Sequence, residues 1–269
     1  MNKITTSQLQ GVPATMLLTL YWRAAEMDQP EPLIKDEVAA DLIKRIDYDA
    51  SRVGQAKDDQ LFNVLRVRQF DRYAREFMAA NPHGTIVDLG CGLDARIQRI
   101  GKGTIRWFGL DLPEVIAFRK QWIKDRPQYR LIAKSVLDFT WTDHVASSAR
   151  DGYHFSAQGL FPYLPTEDVR NLVIALYDRF PGCELVFDGM SPFMLWLHNM
   201  HPAMRTQHIT LRWAIKNNHE METWREGIRL TGHWDYWEDD EPRIQQYKWM
   251  KLIPGGKDGN KILRYKLGG

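Results

Sequence analysis

Cysteine is scarce in this 269-residue chain, which has only Cys91 and Cys183. Neither sits in a CxxC, so a disulfide framework and a structural zinc site are both excluded. Long apolar runs are missing as well. The longest, residues 14–22, falls short of the roughly 20 residues that span a bilayer and includes Thr and Tyr. The N-terminus lacks the basic, apolar and small-residue order of a secretory signal. Neither sign of charge is in excess: 36 Lys plus Arg against 34 Asp plus Glu leave a formal +2. No dense basic run or interleaved aromatic stripe offers a nucleic-acid surface. Internal repeats and low-complexity tracts are absent too. The expectation is a protein of the reducing cytoplasm, with a small molecule as partner and neither a membrane, a nucleic acid nor a metal.

What is present is an ordinary globular composition, 44% hydrophobic and 26% charged, enough to bury a sizeable core. Residues 1–80 read as helical. An apolar segment holds Met16, Leu17, Leu18 and Leu20. Helical spacing follows at Ile34, Val38, Leu42 and Ile46, and again over residues 61–80. Asn81-Pro82-His83-Gly84 then breaks the chain. From Thr85 strands and helices alternate. Strands are read at 85–89, 106–110, 129–136, 153–157 and 184–187. Helices are read at 93–100, 113–124 and 166–180, the last with Thr166 as N-cap. Residues 191–216 read as helix broken at Pro202. Residues 228–237 and 262–267 read as a closing strand pair, with a helix around 243–252. The pattern predicts an α/β, Rossmann-like, doubly wound and mostly parallel sheet of seven strands over 81–269. An N-terminal helical cap would cover 1–80, with a substrate-pocket insertion around 190–225.

The densest chemistry lies in Ile86-Val87-Asp88-Leu89-Gly90-Cys91-Gly92. An apolar strand ends in an acid and a Gly-x-Gly turn. Glycines let the backbone turn tightly and approach a ligand. The third glycine of GxGxxG is replaced by Ala95, and Asp88 and Asp94 would crowd a pyrophosphate with negative charge. Both features weigh against a nicotinamide oxidoreductase. A sulfonium-bearing amino acid tolerates neighbouring acids better. Asp111 ends the next strand at about the 20-residue spacing of a ribose-binding acid, and a carboxylate can accept two hydroxyl hydrogen bonds. Its plainer reading is a helix N-cap before Pro113. Asp138 closes the third strand, where an acid could take an adenine amino group. Acids and glycines at successive strand ends mark the ligand edge of an open α/β sheet.

These residues carry a family resemblance. Asp88-Leu89-Gly90-Cys91-Gly92-Leu93-Asp94-Ala95-Arg96 resembles the DLGxGLDTR motif of the leucine carboxyl methyltransferase family, which includes bacterial polyketide O-methyltransferases. Asp111-Leu112-Pro113-Glu114-Val115-Ile116 is similar to its DLPEVI segment. Residues 157–164 resemble EGLLMYL with Gln158 in place of Glu, and Gly11-Val12-Pro13-Ala14-Thr15 and Arg66-Val67-Arg68 resemble its N-terminal segments. The resemblance implies S-adenosyl-L-methionine as cofactor and S-adenosyl-L-homocysteine as product. It implies that Gly90 and Gly92 pack against the cofactor's amino-acid part, Asp88 sits beside them, and Arg68 pairs with its carboxylate, with Arg66 as the rival. Asp111 and Leu112 would hold the ribose side, Val136, Leu137 and Asp138 the adenine, and Gln158 and Gly159 the methionine moiety, with Tyr163 near the acceptor.

Methyl transfer is an in-line displacement in which protein groups orient the reactants. A carboxylate acceptor needs no base, whereas a phenol or alcohol gains from one. Tyr163, His198 and His201 are the candidates for that catalytic role, His198 and His201 sharing a helical face if the segment is helical. The expected activity is O-methylation of a small-molecule hydroxyl or carboxylate. A methyltransferase-like protein that binds cofactor without turnover, and a protein carboxyl methyltransferase, are the alternatives.

Overall fold

The computed structural model describes residues 14–46, 57–123, 126–146, 151–200, 209–253, 256 and 259–269. His201, Pro202 and the Gly11-Val12-Pro13 segment, singled out above, lie outside them. Three helices come first: α1 (Ala14–Glu26), α2 (Glu37–Arg45) and α3 (Lys57–Ala80). Then follow β1 (Thr85–Leu89), α4 (Arg96–Ile100), β2 (Arg106–Asp111), α5 (Pro113–Arg119), β3 (Tyr129–Ala133), α6 (Trp141–Ala146), β4 (Tyr153–Ala157), α7 (Thr166–Arg179), β5 (Cys183–Met190), α8 (Pro192–Met200), β6 (Ile228–Asp235) and β7 (Asn260–Leu267).

The strands form one sheet in the order β3-β2-β1-β4-β5-β7-β6. The first five run parallel, and β7 lies antiparallel between β5 and β6. β1 is buried at every position, as expected of a central parallel strand covered on both faces. The chain order reverses between β1 and β4. Open α/β sheets bind ligands at the carboxyl ends of the strands beside such a switch point. The seven-stranded, Rossmann-like expectation matches this architecture.

The N-terminal helices divide into two roles. α3 shares the sheet's own core: Ala74 and Phe77 pack with Ile86 and Trp107, and Leu65 and Tyr73 with Val186 and Ile262. α1 and α2 pack instead on Leu93 and Phe118, above the glycine turn. The covering element is therefore α1 with α2, and α3 belongs to the α/β body.

Local readings differ from the structure in four places. Pro165, not Thr166, occupies the N-cap of α7, and no side chain caps it; Pro165 fixes the extended turn, so Thr166 is already helical. The short helix α6 follows Asp138 and had no expectation. Residues 209–216 are not helical. Trp213 and Ile215 give their amide protons to Pro162 and Met190 carbonyls, while Leu211, Trp213 and Ile215 are buried and their neighbours are not. That period of two marks extended chain. Residues 242–252 form 3-10 turns rather than an α-helix.

Phe155 sits at the centre of β4, fully buried against Trp141 and Phe180. Phe155→Ala is expected to lower stability by about 3–5 kcal/mol, read as a falling urea midpoint with little change in slope.

Candidate functional site

β1 ends in the turn that starts the site. Gly90 (φ 67°) and Gly92 (φ 47°) are left-handed, a region a side chain disfavours. The amides of Gly90 and Cys91 both donate to the Leu110 carbonyl at 2.9 and 3.0 Å. Asp111, at the end of β2, accepts the Gly92 amide at 2.7 Å on one oxygen and the Leu112 amide at 2.8 Å on the other. Burial pushes the Asp111 carboxyl up, and those two amides pull against it. Each oxygen still has a lone pair for a ligand hydroxyl.

The turn closes one side of a cleft of about 370 Å³ at the switch point, within the range of small-molecule sites. Thr15, Met16, Thr19 and Arg23 of α1 form its roof. Gly90 to Asp94, Asp111, Leu112, Lys134, Ser135 and Val136 form one wall. Arg66, Ser156, Gln158, Gly159, Tyr163 and Leu164 form the other. A Cβ on Gly92 would lie 3.2 Å from the Met16 sulfur, so α1 sits tightly on the turn.

Beneath the turn lies a buried network of alternating charge. Arg96 donates to Asp88 at 2.6 Å and Ser156 at 2.7 Å, and also to Gln158. Trp107 Nε1 donates to the other Asp88 oxygen at 2.7 Å. Arg99 bonds Asp71, Asp36 and Asp94. Arg23 joins Asp36 of the α2 N-cap to the Leu93 carbonyl, each at 2.9 Å. Arg119 donates to the Gly92 carbonyl at 2.7 Å, to the Asp94 carbonyl and to Tyr129. Burial alone would raise Asp94, but Arg99, Arg23 and Arg96 together hold its carboxyl well below the usual range. Asp88 goes the other way: burial raises it more than Arg96 and Trp107 lower it. Both acids are thus matched by cations inside the protein, so the sequence argument that they repel a pyrophosphate loses its force.

The structure brings Asp88, Gly90, Gly92, Asp111, Leu112, Val136, Gln158, Gly159 and Tyr163 to the cleft. It does not bring Arg68, Leu137, Asp138 or His198 there. Arg68 pairs with Asp239 on another side of α3. Of the two rivals, Arg66 lines the cleft, donating to Asp188 at 2.8 Å. The other Asp188 oxygen takes the Gly159 amide at 2.6 Å. Burial would weaken the Arg66 charge, yet Asp188 outweighs it and keeps the guanidinium firmly protonated. Arg66 Nε is buried with no hydrogen-bond partner among the described residues. The helix phase held the signal: Arg66, Phe70, Tyr73 and Phe77 recur at steps of four, three and four on the sheet-facing stripe, and Arg68 falls off it. Leu137 packs into the core. Exposed Asp138 bonds Lys134 and Thr140, which lowers its carboxyl. β3 ends at Ala133, short of the expected residue 136, and the turns that follow leave this acid exposed. His198 lies on α8, outside the lining. Tyr163 lines the cleft, but burial raises its phenol, outweighing Thr15 and Arg66. At neutral pH it is a hydrogen-bond donor and not a base. Sequence reasoning gave no role to Arg23, Met16, Arg96 or Ser156, whose contacts are all between distant segments.

A Rossmann-like sheet with a closing antiparallel strand and a cleft at its switch point defines an α/β ligand-binding protein. The comparisons sharpen that. The profile of the leucine carboxyl methyltransferase family matches residues 16–176. The chain belongs to this family. It is 32% identical over 269 residues to the tetracenomycin polyketide synthesis O-methyltransferase TcmP of Streptomyces glaucescens, covering 97% of this chain and 98% of that protein. It is 27% identical to the S-adenosyl-L-methionine-dependent methyltransferase dpfgK of Gibberella zeae, covering 90% and 88%. In fold it is similar to a DUF574-family protein of Streptomyces avermitilis, with a TM-score of 0.63 at 11% identity over 96% of this chain and 98% of that one. Among the described residues no helix is long and apolar enough to cross a membrane, and no group of three His, Cys, Asp or Glu is arranged to hold a metal ion.

Two predictions follow from the network. Arg96→Met leaves Asp88 buried without its cation and is expected to cost about 3–5 kcal/mol in urea unfolding. Asp94→Asn tests the sign of a depressed carboxyl. Its folded pKa lies below the ordinary 3.8, so its contribution is fully present above that value and lost as pH falls. The variant is expected to be less stable at pH 7, with the deficit shrinking below about pH 4 as the wild type loses the same contribution.

Proposed function

We propose that this methyltransferase uses S-adenosyl-L-methionine to methylate a hydroxyl or carboxylate oxygen of a small, polyketide-like molecule, leaving S-adenosyl-L-homocysteine. The observation that carries the reading is that Arg66 and Asp111 line one cleft together with the glycine turn. The donor set fits the cofactor end to end. Arg66, with its unpartnered Nε, would take the carboxylate of the amino-acid part, a task suited to a planar guanidinium. Asp111 would take the ribose hydroxyls on its spare lone pairs, as charge-assisted bonds. Leu112 and Val136 offer the apolar walls for the adenine. Gly90 and Gly92 let the backbone pass close to the ligand.

Bound there, the cofactor supplies an electrophilic methyl group. The protein's own part is placement and exclusion of water. α1 roofs the cleft with Thr15, Met16 and Thr19, which limits solvent at the reacting end. Tyr163, kept as a neutral phenol, would donate a hydrogen bond at the acceptor end and orient it. A carboxylate or an acidic phenol acceptor reaches the site already ionised and needs no base. The likeness to TcmP across nearly the whole chain supports the polyketide-like substrate class.

The test is calorimetric titration with S-adenosyl-L-homocysteine. Arg66→Gln removes a charged hydrogen bond of about 1.5–3 kcal/mol and is expected to weaken binding roughly 10- to 100-fold. Asp111→Ala is expected to abolish it at micromolar concentrations. Arg68→Gln is expected to leave it within a factor of three. Binding that survives Arg66→Gln and is lost in Arg68→Gln would overturn the assignment.

A further inference from the structure

Arg96 settles the orientation of Gln158. Its side chain is 2% exposed, and a guanidinium can only donate. Nη1 donates to Asp88 at 2.6 Å and to the Ser156 hydroxyl at 2.7 Å, and Nη2 donates to Gln158. The Gln158 atom that meets Nη2 is therefore the carbonyl oxygen, since the amide nitrogen would set donor against donor. With Oε1 held on Arg96, the two Nε2 hydrogens are left for the cleft that Gln158 lines. Ser156 Oγ accepts from the same guanidinium, and its own hydrogen is left to give. Both residues thus present donors to the ligand.

Charge explains why this residue is a glutamine. Arg96 already faces three carboxylates, Asp88 at 2.6 Å, Asp71 at 3.3 Å and Asp94 at 3.7 Å. A Glu at this position, as in the segment the chain resembles, would bring one more negative charge to the same buried cation. The neutral amide satisfies Nη2 equally well and turns hydrogens toward the ligand instead of an anion.

Those hydrogens lie beside Arg66. A Cβ on Gly159, the next residue, would sit 3.5 Å from Arg66 Nη1, and the Gly159 amide is fixed on Asp188 at 2.6 Å. Arg66 also carries the buried Nε that has no partner among the described residues. Asp88, which shares Arg96 with Gln158, has one oxygen on Arg96 and the other on Trp107. An anionic ligand group placed here finds donors from two side chains, whereas a cationic one finds Asp88 already engaged.

We propose that Gln158, locked by Arg96, is a donor that reads the carboxylate of the cofactor's amino-acid part alongside Arg66, so that the site selects its cofactor by that carboxylate ahead of the neighbouring ammonium. This rests on the methyltransferase reading above. Arg96 is the positioning residue, since it decides which end of the amide the ligand meets.

The experiment is calorimetric titration of the full chain with three ligands. They are S-adenosyl-L-homocysteine, its deaminated analogue, which keeps the carboxylate, and its decarboxylated analogue, which keeps the ammonium. The wild type is expected to bind the deaminated analogue within about threefold of S-adenosyl-L-homocysteine, and the decarboxylated one roughly tenfold or more weakly. Gln158→Met removes the donors at similar length. It is expected to weaken both carboxylate-bearing ligands about tenfold, the size of one charged hydrogen bond, and to leave the decarboxylated analogue within about twofold. Gln158→Glu is expected to reverse the wild-type order of the two analogues. Equal weakening of all three ligands by Gln158→Met would reveal a packing role and overturn the proposal. A loss confined to the decarboxylated analogue would overturn it too, as would a wild type that binds the decarboxylated analogue better than the deaminated one. Failure of S-adenosyl-L-homocysteine itself to bind the wild type would sink the underlying reading instead.

Discussion

The buried lattice of Arg23, Arg96, Arg99 and Arg119 with Asp36, Asp71, Asp88 and Asp94 is the constraint on which the rest depends. The Gly90–Asp94 turn has left-handed glycines at Gly90 and Gly92. Its shape is imposed from outside, by Arg119 and Arg23 on its carbonyls and by Asp111 on its amide. Arg23 and Arg99 tie in Asp36 of the α2 N-cap, and Arg99 ties in Asp71 of α3. Removing Arg96 leaves buried Asp88 without its cation, which costs more than the pair contributes. The lattice is therefore better understood as fixing one geometry for the ligand edge than as a source of net stability.

This arrangement also explains the division of labour among the helices. α3 lies on the sheet and brings Arg66 to the cleft from a buried stripe. α1 and α2 contribute little to the main core and are held over the turn by Arg23, Asp36 and Met16. A roof joined through one ion cluster can close the site without being part of the body that builds it.

Much of the sheet was legible from sequence. β-branched runs ending in Gly or Asp fall at a βα repeat, and β1, β2, β4 and β5 lie within a few residues of where the pattern places them. The switch-point residues Gly90, Gly92 and Asp111 were legible for the same reason, since strand ends are where the topology puts ligands. What was illegible depended on partners far apart in the chain. Arg68 and Arg66 differ by two positions, and only the phase of α3 against the sheet separates them. Asp138 was misplaced because β3 ends at Ala133 and the chain turns before reaching it. The segment 209–216 was read as helix because its period-two burial is visible only once Pro162 and Met190 are known to accept its amides. Asp94 does line the cleft, but its charge is met by Arg99, five residues on and turned back on it.

The central claim is that the cofactor binds at the turn this lattice holds, and amide hydrogen exchange read by mass spectrometry tests it most directly. With S-adenosyl-L-methionine present, the account predicts slowed exchange over residues 90–94, 111–113 and 158–160 and in α1, and little change in the distant 242–252 turns. Protection absent from the glycine turn, or concentrated elsewhere in the chain, would contradict it.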